Sequence, residues 1–273
     1  MKTYTVAGGR GLKLHVQETG SPTGRSILFI HGFSQCRLAW NKQTHSDLAK
    51  DFRLVAMDIR GHGLSEMPRD VYGDSKLWAD DVHAVITALD LDKPVLSGWS
   101  YGGVIMSDYI NYYGEDNIAG TNWVGAVSRL GDSLLQAGFI GADFLAAVPG
   151  CFSENVEECT AALQTFVRLL VHEEPSPEDF YFLLGCTAIV PPHVRQALFS
   201  RNLNNDSVVE KMRRPVLLSY SEQDGIVSLN MGKHIAGLAR HANLSVYQNV
   251  GHAPFWEAPE RFNRELREFR ESI

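Results

Sequence analysis

The six residues Gly98-Trp99-Ser100-Tyr101-Gly102-Gly103 constrain this chain more than any other stretch. Pro94-Val95-Leu96-Ser97 before them is a short apolar run of the kind that forms a buried parallel strand. After them Val104, Ile105, Met106, Tyr109, Ile110 and Tyr113 recur at helical spacing. A serine therefore sits in a sharp strand-to-helix turn, with glycines at 98 and 102 where side chains would collide. G-x-S-x-G alone is a weak signal; the flanking strand and helix are the context that makes it a nucleophile elbow.

The rest of the chain alternates around that turn. Residues 3–8 and 12–19 read as an antiparallel pair, and 26–30 as a strand buried on both faces that ends at His31-Gly32-Phe33. A helix is predicted over about 40–50 and a strand over 53–57. Trp78, Val82, Val85, Ile86 and Leu89 mark an amphipathic helix over 76–90. The elbow strand follows, then a strand at about 118–127. Between about 128 and 205 no strand run is obvious and helix-like segments dominate: 134–147, 156–171, 177–184 and 191–200. The alternation resumes with strands at 215–220 and 244–247, each followed by a helix. This pattern predicts a mostly parallel sheet flanked by helices, with core residues 1–127 and 206–273 and an inserted helical cap at 128–205.

Composition narrows the class. The 273 residues, 44% of them hydrophobic, suffice for one large α/β domain with an insertion. A net charge of −7 argues against a nucleic-acid or anionic membrane surface and for a small-molecule partner. The amino terminus lacks the apolar core of a signal peptide, and no apolar run is long enough to span a bilayer, so a soluble cytoplasmic protein is expected. Cys36, Cys151, Cys159 and Cys186 lack metal-type spacing and read as packing thiols; Cys36, after His31-Gly32-Phe33, is the one nearest to expected substrate. No G-x-G-x-x-G follows a strand and no His/Cys cluster appears, so no metal, nucleotide or flavin cofactor is expected. The sequence leaves the oligomeric state open; a homo-oligomer is compatible with it.

A serine hydroxyl needs a base to take its proton and a third group to orient that base. In an open parallel sheet such groups stand at the carboxyl ends of strands. Asp224 follows the 215–220 strand and His252 the 244–250 stretch, in the order Ser100, Asp224, His252 expected of a serine nucleophile on such a sheet. Glu222 competes with Asp224, which is preferred. The oxyanion of acyl transfer needs preplaced N–H donors, and the backbones of Tyr101 and Phe33 are the candidates. His31 reads as a brace for the oxyanion loop.

These motifs, with Asp58-Ile59-Arg60-Gly61-His62-Gly63-Leu64-Ser65 and with Pro254 and Glu257 after Gly251-His252, resemble the α/β-hydrolase superfamily, most of all its small cofactor-free serine esterases and bacterial non-haem haloperoxidases. The resemblance covers about 12–127 and 206–272. It implies that Asp58, Arg60 and His62 form a structural turn without a catalytic role. Two departures stand out: Ser221 where many relatives have glycine, and Trp99 and Tyr101 flanking the serine. A tyrosine there is expected to narrow the acyl pocket or to offer its hydroxyl to substrate.

Ser100 in place of an elbow aspartate predicts an acyl-enzyme, hence hydrolysis of small carboxylic esters or lactones. Phe139, Phe144, Leu145, Phe166, Leu169, Phe182 and Leu183 are the expected lining for a small apolar acyl or alkyl group. Activity should fall below about pH 6 if His252 must be neutral. The same residues serve two alternatives: a carbon–carbon bond hydrolase or hydroxynitrile-lyase-type enzyme, and a ligand-sensing receptor of the same fold.

Overall fold

The computed structural model describes residues 1–273. Eight strands form the central sheet: β1 (Lys2–Ala7), β2 (Lys13–Gly20), β3 (Arg25–Ile30), β4 (Phe52–Met57), β5 (Val95–Trp99), β6 (Gly120–Val124), and, after a two-stranded clasp of β7 (Arg129–Leu130) and β8 (Leu203–Asn204), β9 (Val216–Ser221) and β10 (Asn243–Tyr247). The order is β1-β2-β4-β3-β5-β6-β9-β10. β2 pairs antiparallel with both β1 and β4, and every other pairing within this sheet is parallel. This is an α/β-hydrolase fold, a mostly parallel sheet flanked by helices.

β3 and β5 are neighbours, and the chain runs outward from β3 to β4 before returning to β5. The strand order thus reverses between β3 and β5. A crevice opens beyond the carboxyl ends of strands at such a reversal, and the loops that follow β3 and β5 carry Phe33 and Ser100.

Local chemistry sets the helix ends. The Asp74 carboxylate accepts from Lys76 N–H at 2.9 Å and starts the Ser75–Ala88 helix. Asn155 and Ser176 cap the Val156–Leu169 and Pro177–Ala188 helices in the same way. The continuous helix expected over 40–50 is instead broken into turns at Arg37–Trp40, Asn41–Thr44 and Leu48–Asp51. The Ser46 hydroxyl donates to Gln43 O and accepts from Leu48 N–H, offering the backbone a turn in place of a helix.

Between β6 and β9 the chain makes the helical excursion expected there, with two differences. The segment 134–147 divides into Asp132–Leu135 and Ala142–Cys151, because Gly138 turns at φ +67° and Ile140 bridges to Val227. The excursion also contains strand: β7 and β8 pair antiparallel at its entrance and exit. Its Phe144, Phe166 and Leu198 belong to one hydrophobic core continuous with the sheet. No helix is long and apolar enough to cross a membrane.

Candidate active site

β5 is buried over its whole length and ends at Trp99, so Ser100 is delivered to the top of the sheet where the Gly102–Tyr113 helix begins. Ser100 is forced to φ +56°, a left-handed conformation that costs a non-glycine residue about 1 kcal/mol or more. Three hydrogen bonds hold it there: its N–H to Val124 O at 2.9 Å, and its carbonyl to the N–H groups of Gly103 (3.0 Å) and Val127 (3.1 Å). The turn is tight enough that a Cβ on Gly98 would lie 2.9 Å from the Gly102 carbonyl carbon, and one on Gly102 2.7 Å from Ile30 O. The collision expected from the sequence is therefore real.

The acid and the imidazole come from the two strands beyond. The His252 Nδ1 and Asp224 Oδ2 atoms are 2.8 Å apart, and each side chain is 1% exposed. The other carboxylate oxygen of Asp224 accepts from the N–H groups of Ile226 and Val227, both at 2.8 Å. With both oxygens occupied, the carboxylate has one orientation. Glu222 is exposed and makes no hydrogen bond or ion pair with His252, which pairs with Asp224. Ser100 and His252 converge at the end of β6: Val124 binds the Ser100 N–H, and the adjacent Gly125 lies so close to the imidazole that a Cβ there would be 3.1 Å from His252 Nδ1. No hydrogen bond joins the Ser100 hydroxyl to the ring.

Two side chains that sequence reasoning did not assign hold the His252 loop. Trp99 donates its indole N–H to His252 O at 2.9 Å. The Glu257 carboxylate accepts from Gly251 N–H at 2.8 Å and from His172 N–H at 2.7 Å, tying the loop to the helical excursion. Burial pushes the Glu257 carboxyl up, against the pull of those donors. The signals were present, as a tryptophan beside the serine and a glutamate five residues after the histidine, but only the fold brings them to one loop.

The loop after β3 is braced by two buried neutral histidines. His31 donates from Nδ1 to Gly32 O (2.9 Å) and accepts at Nε2 from Ile59 N–H (3.1 Å). His62 donates from Nδ1 to Arg60 O (3.0 Å) and accepts at Nε2 from Ser34 N–H (3.2 Å). Both rings accept a backbone N–H, so neither carries a second proton; burial lowers their pKa values to about 4 and about 3. The bracing role expected of His31 belongs to both. Asp58 caps the turn by accepting from Arg37 and Leu64 N–H, and Arg60 forms a buried fork with Asp81. The N–H groups of Phe33 and Tyr101 donate to no acceptor within the protein.

Ser100 lies on the floor of a pocket enclosing about 660 Å³ of empty space, its open mouth included. Fourteen of its 16 lining residues are hydrophobic, and none is Asp, Glu, Lys, Arg or His. Phe33 stands edge-on to Phe166 (5.8 Å between centroids) and Phe199 (4.8 Å), and Phe144 closes the cluster. Of the expected lining residues Phe144, Leu145 and Phe166 reach the pocket; Phe139, Leu169, Phe182 and Leu183 do not. Phe182 stacks on Trp256 and Phe139 packs on His234, positions set by which face of each segment meets the core. Cys36 is buried away from the pocket. Tyr101 lines the pocket, but its hydroxyl is not offered to substrate: it accepts from Arg201 at 3.0 Å and faces Leu198 O at 3.5 Å.

The sequence model of the alpha/beta hydrolase family matches residues 27–265, a span that includes every residue just described around Ser100. The chain belongs to that family. This alpha/beta hydrolase is similar to an esterase from Rhodococcus sp. ECU1013, at 34% identity over 100% of both chains with a TM-score of 0.95. It is 25% identical over 269 residues to a non-heme chloroperoxidase of Kitasatospora aureofaciens, covering 95% of this chain and 96% of that one. A bifunctional esterase/perhydrolase of Acinetobacter calcoaceticus is also 25% identical, over 276 residues and with the same coverage, 95% and 96%. The hydrolase is thus an enzyme of the esterase type, within the group that also contains the non-haem haloperoxidases.

Proposed function

We propose that this alpha/beta hydrolase cleaves small neutral carboxylic esters or lactones through an acyl-enzyme on Ser100. The observation that carries the reading is a left-handed serine on the floor of a pocket without a charged side chain, beside a buried histidine whose Nδ1 faces a doubly anchored aspartate. In this mechanism His252, held in one tautomer by Asp224, takes the Ser100 proton as the hydroxyl oxygen attacks the carbonyl carbon. The carbonyl oxygen becomes an oxyanion, which the free N–H groups of Phe33 and Tyr101 stabilise. His252 returns the proton to the leaving alkoxide. Water, activated by the same imidazole, then attacks the acyl-serine and releases the acid. Residues 128–205 act as the cap that supplies the apolar wall and excludes water. A charged acyl group would lose its hydration with nothing to replace it, so neutral substrates are favoured. Four free thiols suit a reducing, cytoplasmic setting.

Peroxide in place of water at the second step would give a peracid and regenerate Ser100. The chloroperoxidase and perhydrolase relatives favour this as a second activity of the same intermediate.

The test is a fluorophosphonate with peptide mass spectrometry, alongside hydrolysis of short-to-long p-nitrophenyl esters. A single adduct on Ser100, ester turnover, and loss of both in a folded Ser100→Ala variant are expected. An adduct without ester turnover would replace the proposal by carbon–carbon or lyase chemistry, and no adduct by ligand sensing.

A further inference from the structure

Behind the elbow lies a buried ion pair that the chemistry above does not use. Arg201, two residues after the Pro192–Phe199 helix, donates from Nη2 to Asp108 Oδ2 at 2.6 Å and to Ser75 Oγ at 2.8 Å. Its Nη1 donates to the Tyr101 hydroxyl at 3.0 Å. The Arg201 and Asp108 side chains are 1% and 3% exposed. The guanidinium carbon lies 5.3 Å from the Trp78 ring centroid and 5.8 Å from that of Tyr101, so the cation is flanked by a ring on the 75–88 helix and by that of the residue preceding the 102–113 helix.

A buried pair of charges is weak evidence for stability, since desolvation offsets most of the attraction. What distinguishes this one is what it touches. Tyr101 is the residue after the nucleophile, and its N–H points to no protein acceptor. Asp108 is seven residues further along the helix that Tyr101 opens, so the fork grips that helix at both ends of two turns. Leu198 and Phe199 line the pocket just before Arg201, and Leu198 O faces the Tyr101 hydroxyl. One guanidinium therefore fixes the elbow residue and the apolar wall relative to each other.

We propose that Arg201 is a positioning residue for the reaction: by clamping Tyr101 to Asp108 it sets the Tyr101 N–H and the Leu198–Phe199 wall against the carbonyl bound at Ser100. The role rests on the acyl-serine reading. A donor held to a few tenths of an ångström stabilises the oxyanion; one that drifts does so poorly, and the loss falls on the chemical step more than on binding.

Two variants test this. Tyr101→Phe removes the oxygen that Arg201 grips and keeps the ion pair. The double variant Arg201→Met/Asp108→Leu removes both charges together and avoids leaving one buried alone. Active serines are counted with a fluorophosphonate, and kcat and KM for a short p-nitrophenyl ester are expressed per titrated serine. The expected result is a fall in kcat of about tenfold in each, with KM within about twofold of wild type and melting temperatures that do not track the loss. A kcat per titrated serine within about twofold of wild type in Tyr101→Phe would overturn the role and leave Arg201 as a structural pair, even if the double variant fails to fold. A wild-type protein with no adduct on Ser100 would instead remove the acyl-serine reading on which it rests.

Discussion

Acidification from pH 7 to pH 5 should destabilise this hydrolase through His31 and His62. Each is buried and accepts a backbone N–H at Nε2, so the folded state keeps it neutral. Their folded pKa values, about 4 and about 3, are depressed from an ordinary 6.5. The stability they contribute is therefore present above pH 6.5 and is lost as the pH falls, because the unfolded chain takes up protons that the folded one refuses. Between pH 7 and pH 5 the loss is about 2 kcal/mol per histidine, or about 4 kcal/mol together. Raised carboxyl groups such as Asp108 and Glu257 act in the opposite direction, so the measurement is a difference. Urea unfolding is followed at both pH values for wild type and for His31→Gln/His62→Gln, whose amides can donate and accept as the rings do without titrating. Wild type should lose about 4 kcal/mol more than the variant between the two pH values. Equal losses, within about 1 kcal/mol, would refute the neutral-brace reasoning. Phe33 sits in the braced loop, so esterase activity should fall where unfolding sets in.

Gly125→Ala places a methyl 3.1 Å from His252 Nδ1 and 3.2 Å from Asp224 Oδ2, at φ +48°. The imidazole and the carboxylate must give by a few tenths of an ångström, and kcat should drop roughly tenfold or more with little change in KM, read from steady-state ester hydrolysis. Phe166→Ala removes one wall of the cluster around Phe33; kcat/KM should shift toward longer acyl chains across a p-nitrophenyl ester series, with about 3 kcal/mol lost in chemical denaturation. An unchanged chain-length profile would mean that the acyl group lies elsewhere.

What the linear chain determined follows from short-range rules. The buried apolar runs that became β3, β5 and β9 have no other stable place than the inside of a sheet, and a glycine-flanked serine between a strand and a helix has few alternatives to a sharp turn. The positions of Ser100, Asp224 and His252 after three strands were legible because parallel topology sends all strand ends to one edge. Turn chemistry hid the break at Ser46, and Gly138 with the pairing of Ile140 to Val227 hid the one at 138–141, since single residues there outweighed the helical period around them. Which faces of the excursion meet the pocket was not legible, because Phe139, Phe166 and Phe182 are alike as sequence and differ only in what packs against them. Trp99 holding His252, Glu257 joining Gly251 to His172, and Arg201 gripping Tyr101 and Asp108 across about a hundred residues are contacts between distant segments. No local propensity encodes such contacts; they exist only once assembly of the sheet has brought the loops together.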